Sequence, residues 1–185
     1  MKRKKLDFTS KLLSAIFDDI LPVTFDLAHA FFLSAGSSKR LAQLSRTREE
    51  KYHSSIQCLV RSGYLKRVNE NQFLITPKAI IKNRITKIET SNWEKGDWKG
   101  VWHIVSYDIP EPKKRERGIF RSLIKRKGFI GIQNSVFIAP FADFKELALL
   151  RRDLGIEKYA AFFTAQSYET DDDSKLRKKF KLNLN

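Results

Sequence analysis

The chain has 185 residues, 42% of them hydrophobic and 14 of them Phe, which is enough apolar material for one medium core or two small ones and too much for a disordered regulator. Lys and Arg number 36 against 21 Asp and Glu, a formal charge of +15, and a surplus of that size favours a polyanion as partner. No apolar run is long enough to span a bilayer and no strongly basic amphipathic helix is present, so an anionic membrane is the weaker partner.

The first residues, Met1 to Lys5, are charged like the start of a signal peptide, but the segment from Leu6 to Lys11 is not an apolar stretch with a cleavage site. They read as a basic arm. Cys58 is the only cysteine, which excludes an intrachain disulfide and a cysteine-based zinc site and points to a reducing cytoplasm. Leu12, Leu13, Ile16, Phe17 and Ile20 recur at helical steps and predict a first amphipathic helix, stopped or kinked at Pro22. Phe25, Leu27, Ala28, Phe31, Phe32 and Leu33 predict a second helical stretch, closed by Gly36.

From Ser37 the pattern becomes specific. Ser38 can cap a short helix burying Leu41, Ala42 and Leu44. A turn at Ser45-Arg46-Thr47 leads into a longer helix, from about Arg48 to Ser62, with Tyr52, Ser55, Ile56, Leu59 and Val60 on one face and Gly63 at its end. Tyr64 to Val68 and Gln72 to Thr76, joined by Asn69-Glu70-Asn71, predict a hairpin. Thr76-Pro77 then provides an N-cap and a first-turn proline for a helix from Lys78 to about Glu89.

This order resembles the winged helix-turn-helix domains of bacterial regulators, and the resemblance implies that double-stranded DNA is the partner. The second helix of such a domain keeps one face on the core and offers the other to the major groove. The outward set comprises Arg48, Lys51, His53, Ser54, Gln57 and Arg61, with Arg46 in the turn before it. Lys66, Arg67 and Lys78 surround the wing, placed for phosphate or minor-groove contact. A winged helix used only for protein contact, its charges merely solvated, is the other reading.

Residues 1–92 carry 17 Lys and Arg against 8 Asp and Glu, and the remainder 19 against 13, so the surplus leans to the N-terminal side. Residues 93–100 read as a linker or ordered connection whose Trp93 and Trp98 are expected to dock on a neighbouring domain. Val101 to Pro110 is a strand running into a turn. Pro112 opens a basic helix that buries Ile119, Phe120, Leu123 and Ile124 and ends at Gly128. Phe129 to Gln133 and Ser135 to Ala139 form two short strands. Asp143 caps a helix with Leu147, Leu150 and Leu154 inward, and Tyr159 to Ala165 is a last strand. The series β-α-β-β-α-β over 101–170 is the ferredoxin-like arrangement, followed by a charged tail, 171–185. The expected fold class is therefore α+β, a winged helix-turn-helix domain (1–92) followed by a ferredoxin-like domain.

Trp102 to Pro110, the Arg-rich helix, Gly128-Phe129 and Gln133 to Pro140 resemble the central domain of PaaX-type repressors, itself similar to the small CRISPR-associated nuclease that pairs with the spacer integrase. The resemblance implies a DNA-binding repressor acting as a homodimer, with no cofactor of its own. In those repressors a further C-terminal domain follows, where this sequence has a short tail after Thr170; a small-molecule effector stays open. The nuclease relatives imply an alternative, a metal-dependent nuclease or adaptation accessory protein. In it Asp108, in Tyr107-Asp108-Ile109, would bind Mg²⁺ across a dimer axis. The plainer reading is that Asp108 orients the turn before the basic helix. His103 and Trp102 read as packing residues.

Overall fold

The computed structural model describes residues 16, 24–26, 49–70, 72–93, 98–166 and 173–182. The chain divides into two compact units, Met1–Thr86 and Lys87–Asn185. Both combine helices with an antiparallel sheet, so the fold is mixed α+β.

In the first unit a three-stranded sheet runs β1 (Thr24–Asp26), β3 (Gln72–Ile75), β2 (Leu65–Arg67), with β3 in the middle. Helix α1 (Glu49–Arg61) precedes β2, and helix α2 (Pro77–Thr90) begins just after β3. Ile16, Ile56, Leu59, Leu65, Phe73 and Ala79 are buried nearly completely. Phe73 lies on the central strand, and the solvent-free surface of such aromatic and branched side chains supplies most of the stabilisation. One expectation is corrected here. Phe25 was expected in a helical stretch, yet its backbone pairs with Phe73 in antiparallel register. A short apolar run cannot be assigned from periodicity alone, and the Val-Thr-Phe sequence after Pro22 suits an extended strand. The expected helices at 12–20 and 38–44 lie outside the described residues, except for Ile16, which is helical and buried.

The second unit orders its elements β4 (Trp102–Tyr107), α3 (Lys114–Arg126), β5 (Ile130–Gln133), β6 (Val136–Ala139), α4 (Phe144–Asp153) and β7 (Ala160–Ala165). The sheet order is β5-β6-β4-β7, every pair antiparallel. Strand β4 therefore sits in the interior, and this explains why it alternates so little in polarity: Trp102, Ile104, Val105 and Tyr107 are all buried. Tyr107 stacks on Phe137 at 5.8 Å and meets Phe120 of α3 edge-on at 5.9 Å. Ser122, Lys125 and Arg126 face solvent on α3 while Phe120, Leu123 and Ile124 are inward. Asp143 accepts the backbone N–H of Glu146 at 3.2 Å and caps α4, burying one of the donors that a helix start leaves unpaired.

The opposite face of this sheet is covered by a segment expected to be a charged tail. Helix α5 (Asp173–Lys179) buries Leu176 in a cluster with Trp102, Ile104 and Ile138. Phe180 lies 5.7 Å from the Trp102 ring, and the Arg177 guanidinium sits 5.0 Å over Trp98. The segment is thus part of the core. Leu176 and Phe180, four residues apart, make one apolar stripe through an otherwise basic helix. Both linker tryptophans dock as expected, and both on this unit. Trp98 packs on Trp102 at 4.7 Å and donates its Nε1–H to Val101 O, while Trp93 meets Phe129 edge-on at 6.4 Å.

Candidate nucleic-acid interface

Helix α1 owes its two-sidedness to its sequence. Ser55, Ile56 and Leu59 are buried, whereas His53, Ser54, Gln57, Cys58 and Arg61 are exposed. The exposed set mixes imidazole, hydroxyl, amide and guanidinium groups, which can both donate to and accept from base edges. Lys51 lies on the same helix. Arg46 and Arg48 lie outside the described residues.

The end of α1 is built for an abrupt turn. The Gly63 N–H donates to Val60 O and the Tyr64 N–H to Leu59 O, both at 2.9 Å, with Gly63 at φ +71°. This left-handed closure strains any residue with a Cβ, and it throws the chain directly into β2. The hairpin that follows exposes Lys66 and Arg67 on β2. Asn69 closes it, its side-chain oxygen accepting the Gln72 N–H at 2.8 Å. The Arg67 guanidinium lies 5.4 Å over the Phe73 ring, so its stem is held on the hairpin while the residue stays exposed.

A bracket that sequence reasoning missed ties this hairpin to the helix. The Thr76 hydroxyl lies 2.7 Å from Gly63 O and 3.0 Å from Tyr64 O, and it accepts the Ala79 N–H at 3.3 Å. Thr76 thus caps α2 and fastens the α1 turn at once. The Lys78 ammonium donates to Ser62 O at 2.7 Å and sits 5.0 Å over the Tyr64 ring. Lys78, expected beside the wing for phosphate contact, donates to the carbonyl just past the C-terminus of α1, a favourable end of the helix dipole. The Thr-Pro pair signalled the cap; nothing local signalled the carbonyl that Lys78 reaches.

In the second unit, Asp108 stands exposed just past β4, its backbone N–H donating to Tyr159 O at 2.7 Å. Glu111 accepts from Arg117 at 2.6 Å and pairs with Lys114 at 3.2 Å, and these cations hold its carboxyl below the ordinary range. Arg117 also donates to Ile109 O at 3.0 Å, locking the turn between β4 and α3. His103 is half-buried, its Nδ1 3.1 Å from Pro140 O and its ring edge-on to Phe144 at 5.3 Å. Burial lowers its pKa, partly opposed by the Pro140 carbonyl. Among the described residues no group of three or more His, Cys, Asp or Glu side chains comes together. Asp108 offers a single exposed carboxylate, whereas Mg²⁺ usually takes one or two beside water and phosphate oxygens. Nor is any helix of the described residues long and apolar enough to cross a membrane.

The geometry defines a two-unit α+β protein with a polar helix face and a cationic hairpin in one unit and a basic, sheet-backed helix in the other. Residues 95–177 match the family model of the PaaX protein central Cas2-like domain. The match runs into α5 as far as Arg177 and so includes Leu176, which covers the sheet. No curated protein matches the chain.

Proposed function

We propose that this protein is a DNA-binding transcription regulator, a repressor that binds its operator as a homodimer. The observation that carries the reading is the joint between α1 and the hairpin. A helix with base-competent groups outward passes through Gly63 directly into strands that expose Lys66 and Arg67. In a winged helix-turn-helix domain the helix would enter the major groove while the hairpin touched the flanking backbone. The PaaX match over residues 95–177 supports a regulator, and the order β5-β6-β4-β7 supports reading that unit as ferredoxin-like.

Joining two copies is the role we assign to the second unit. Strands β5 and β7 are the edges of its sheet, and Phe163 on β7 is 46% exposed. Unpaired strand edges with exposed aromatic surface favour association. Light scattering on the full chain at tens of micromolar should return twice the chain mass. A clean monomer there removes the dimer from the reading.

DNA binding is tested by titrating the full chain against duplexes. Gln57→Ala and Lys51→Ala should each cost roughly 1–3 kcal/mol on a preferred sequence and little on others. Lys66→Ala and Arg67→Ala should weaken all duplexes alike. Should all four leave duplex affinity unchanged, the first unit is not the DNA-binding surface.

A further inference from the structure

The exposed face of α3 carries a feature that folding does not explain. Phe120, Leu123 and Ile124 are buried, and the solvent side presents Lys114, Arg115, Arg121, Lys125 and Arg126. At 100° per residue these positions, with Gly118 and Ser122, fall within an arc of about 140° that holds no acidic side chain of the helix. Two of the five cations are held by carboxylates, Lys114 by Glu111 at 3.2 Å and Arg126 by Glu89 at 2.8 Å. Among the described residues no carboxylate pairs with Arg115, Arg121 or Lys125. The Arg121 guanidinium lies 6.0 Å from the Phe137 ring centroid, which steadies its stem on the sheet.

Gly118 sits inside this arc. Glycine is the poorest residue but proline for a helix interior, yet here it neither adopts a positive φ nor makes room for a neighbour: a Cβ built on it meets nothing within 4 Å. Neither backbone conformation nor packing therefore calls for it. One turn to either side stand Lys114 and Arg115, and then Arg121 and Ser122. The helix axis is thus bare of side chains at the point where cations flank it, the arrangement that lets a ligand backbone come close.

We infer that this face of α3, centred on Gly118, is a second contact for the phosphate backbone of duplex DNA. The inference builds on the proposed duplex-binding reading but uses none of its residues. From Lys114 to Lys125 the helix advances about 17 Å. Successive phosphates of one strand lie about twice the 3.4 Å axial step apart, so this length runs past about three of them. Laid along a strand and not inside a groove, guanidinium and ammonium groups meet phosphate oxygens, which are the same whatever the bases. The face anchors any sequence equally.

The test titrates the full chain against two unrelated duplexes over a range of salt. The triple variant R115A/R121A/K125A should bind both about tenfold or more weakly near 0.1 M salt. It should also shrink the log–log salt slope by about two to three. A control of equal net charge, K158A/K178A/K179A, alters exposed lysines elsewhere and should leave the slope unchanged. Gly118→Gln should raise the melting temperature and yet weaken duplex binding severalfold, because its side chain fills the bare spot. A raised melting temperature with unaltered affinity, or a triple variant indistinguishable from the control, overturns the inference. So does binding to phosphatidylserine vesicles that the triple variant loses while its duplex affinity is retained; the face would then belong to a membrane. Lys66→Ala/Arg67→Ala, run alongside, separates the two readings. If it weakens binding and the α3 triple does not, only the α3 inference fails; the reverse pattern, with Gln57→Ala and Lys51→Ala also neutral, removes the winged-helix reading and leaves α3 standing.

Discussion

Helices α1 and α3 are both 13 residues long, both amphipathic, and both closed by a glycine at positive φ, Gly63 at +71° and Gly128 at +89°. Their exposed faces nevertheless differ in kind. Helix α1 shows solvent His53, Ser54, Gln57 and Arg61, a set rich in directional donors and acceptors and poor in net charge. Helix α3 shows almost nothing but cations around Gly118. A mixed set of donors and acceptors held in a groove discriminates between base edges, whereas cations laid on the backbone meet phosphates that are alike in every sequence. Under the proposed function the two units therefore divide the work, with specificity in the first and salt-dependent anchoring spread over both. A chain of charge +15 need not concentrate that charge on the element that reads sequence.

Both helices must rest on real cores, and the largest expected effects test this. Phe120→Ala beneath α3 should cost about 3–5 kcal/mol and Leu59→Ala beneath α1 about 2–5 kcal/mol, each read as a lowered denaturant midpoint of the full chain. A loss below about 1 kcal/mol at either site would mean that the helix does not pack where its burial places it.

Leu176→Ala sharpens the account of the second unit. With Leu176 in the Trp102–Ile104–Ile138 cluster, the substitution should cost about 2 kcal/mol, the low end for a buried leucine at the margin of a core. A charged tail lying free in solvent would register almost nothing, so a neutral result dismantles the covering helix. Next in size is Lys78→Met, which removes the donor to Ser62 O and should cost about 1 kcal/mol. Its duplex salt slope should stay at the wild-type value, while Lys66→Ala and Arg67→Ala each lower it by about one. A lowered slope for Lys78→Met would show that this lysine meets phosphate as well as the carbonyl.

The smallest effect concerns His103. Burial holds its pKa below the ordinary 6.5, so the unfolded chain takes up the proton first as pH falls. Stability should accordingly be flat above about pH 6.5 and decline below it until the folded-state pKa is passed. Melting curves at pH 7.5 and 5 should show that decline in the wild type and less of it in His103→Gln. Equal declines in both would assign the acid sensitivity to other groups.

Legibility in the sequence followed the range of the interaction. The buried stripe Phe120–Leu123–Ile124, the stops at Gly63 and Gly128, the Asp143 cap and the Thr76-Pro77 helix start were all readable in advance. Each depends on residues within about four positions, where spacing and side-chain chemistry suffice. The outward positions His53, Ser54, Gln57 and Arg61 were readable for the same reason, since the inward face of a helix dictates the outward one. Three features were decided only by the tertiary structure: the strand at Thr24–Asp26, the ammonium of Lys78 on Ser62 O, and Leu176 against Trp102. A strand needs a partner far along the chain, here β3 nearly fifty positions on. A lysine is charged whether it meets a phosphate or a carbonyl, and a short apolar stripe in a basic helix shows nothing until the open sheet face that it covers has formed.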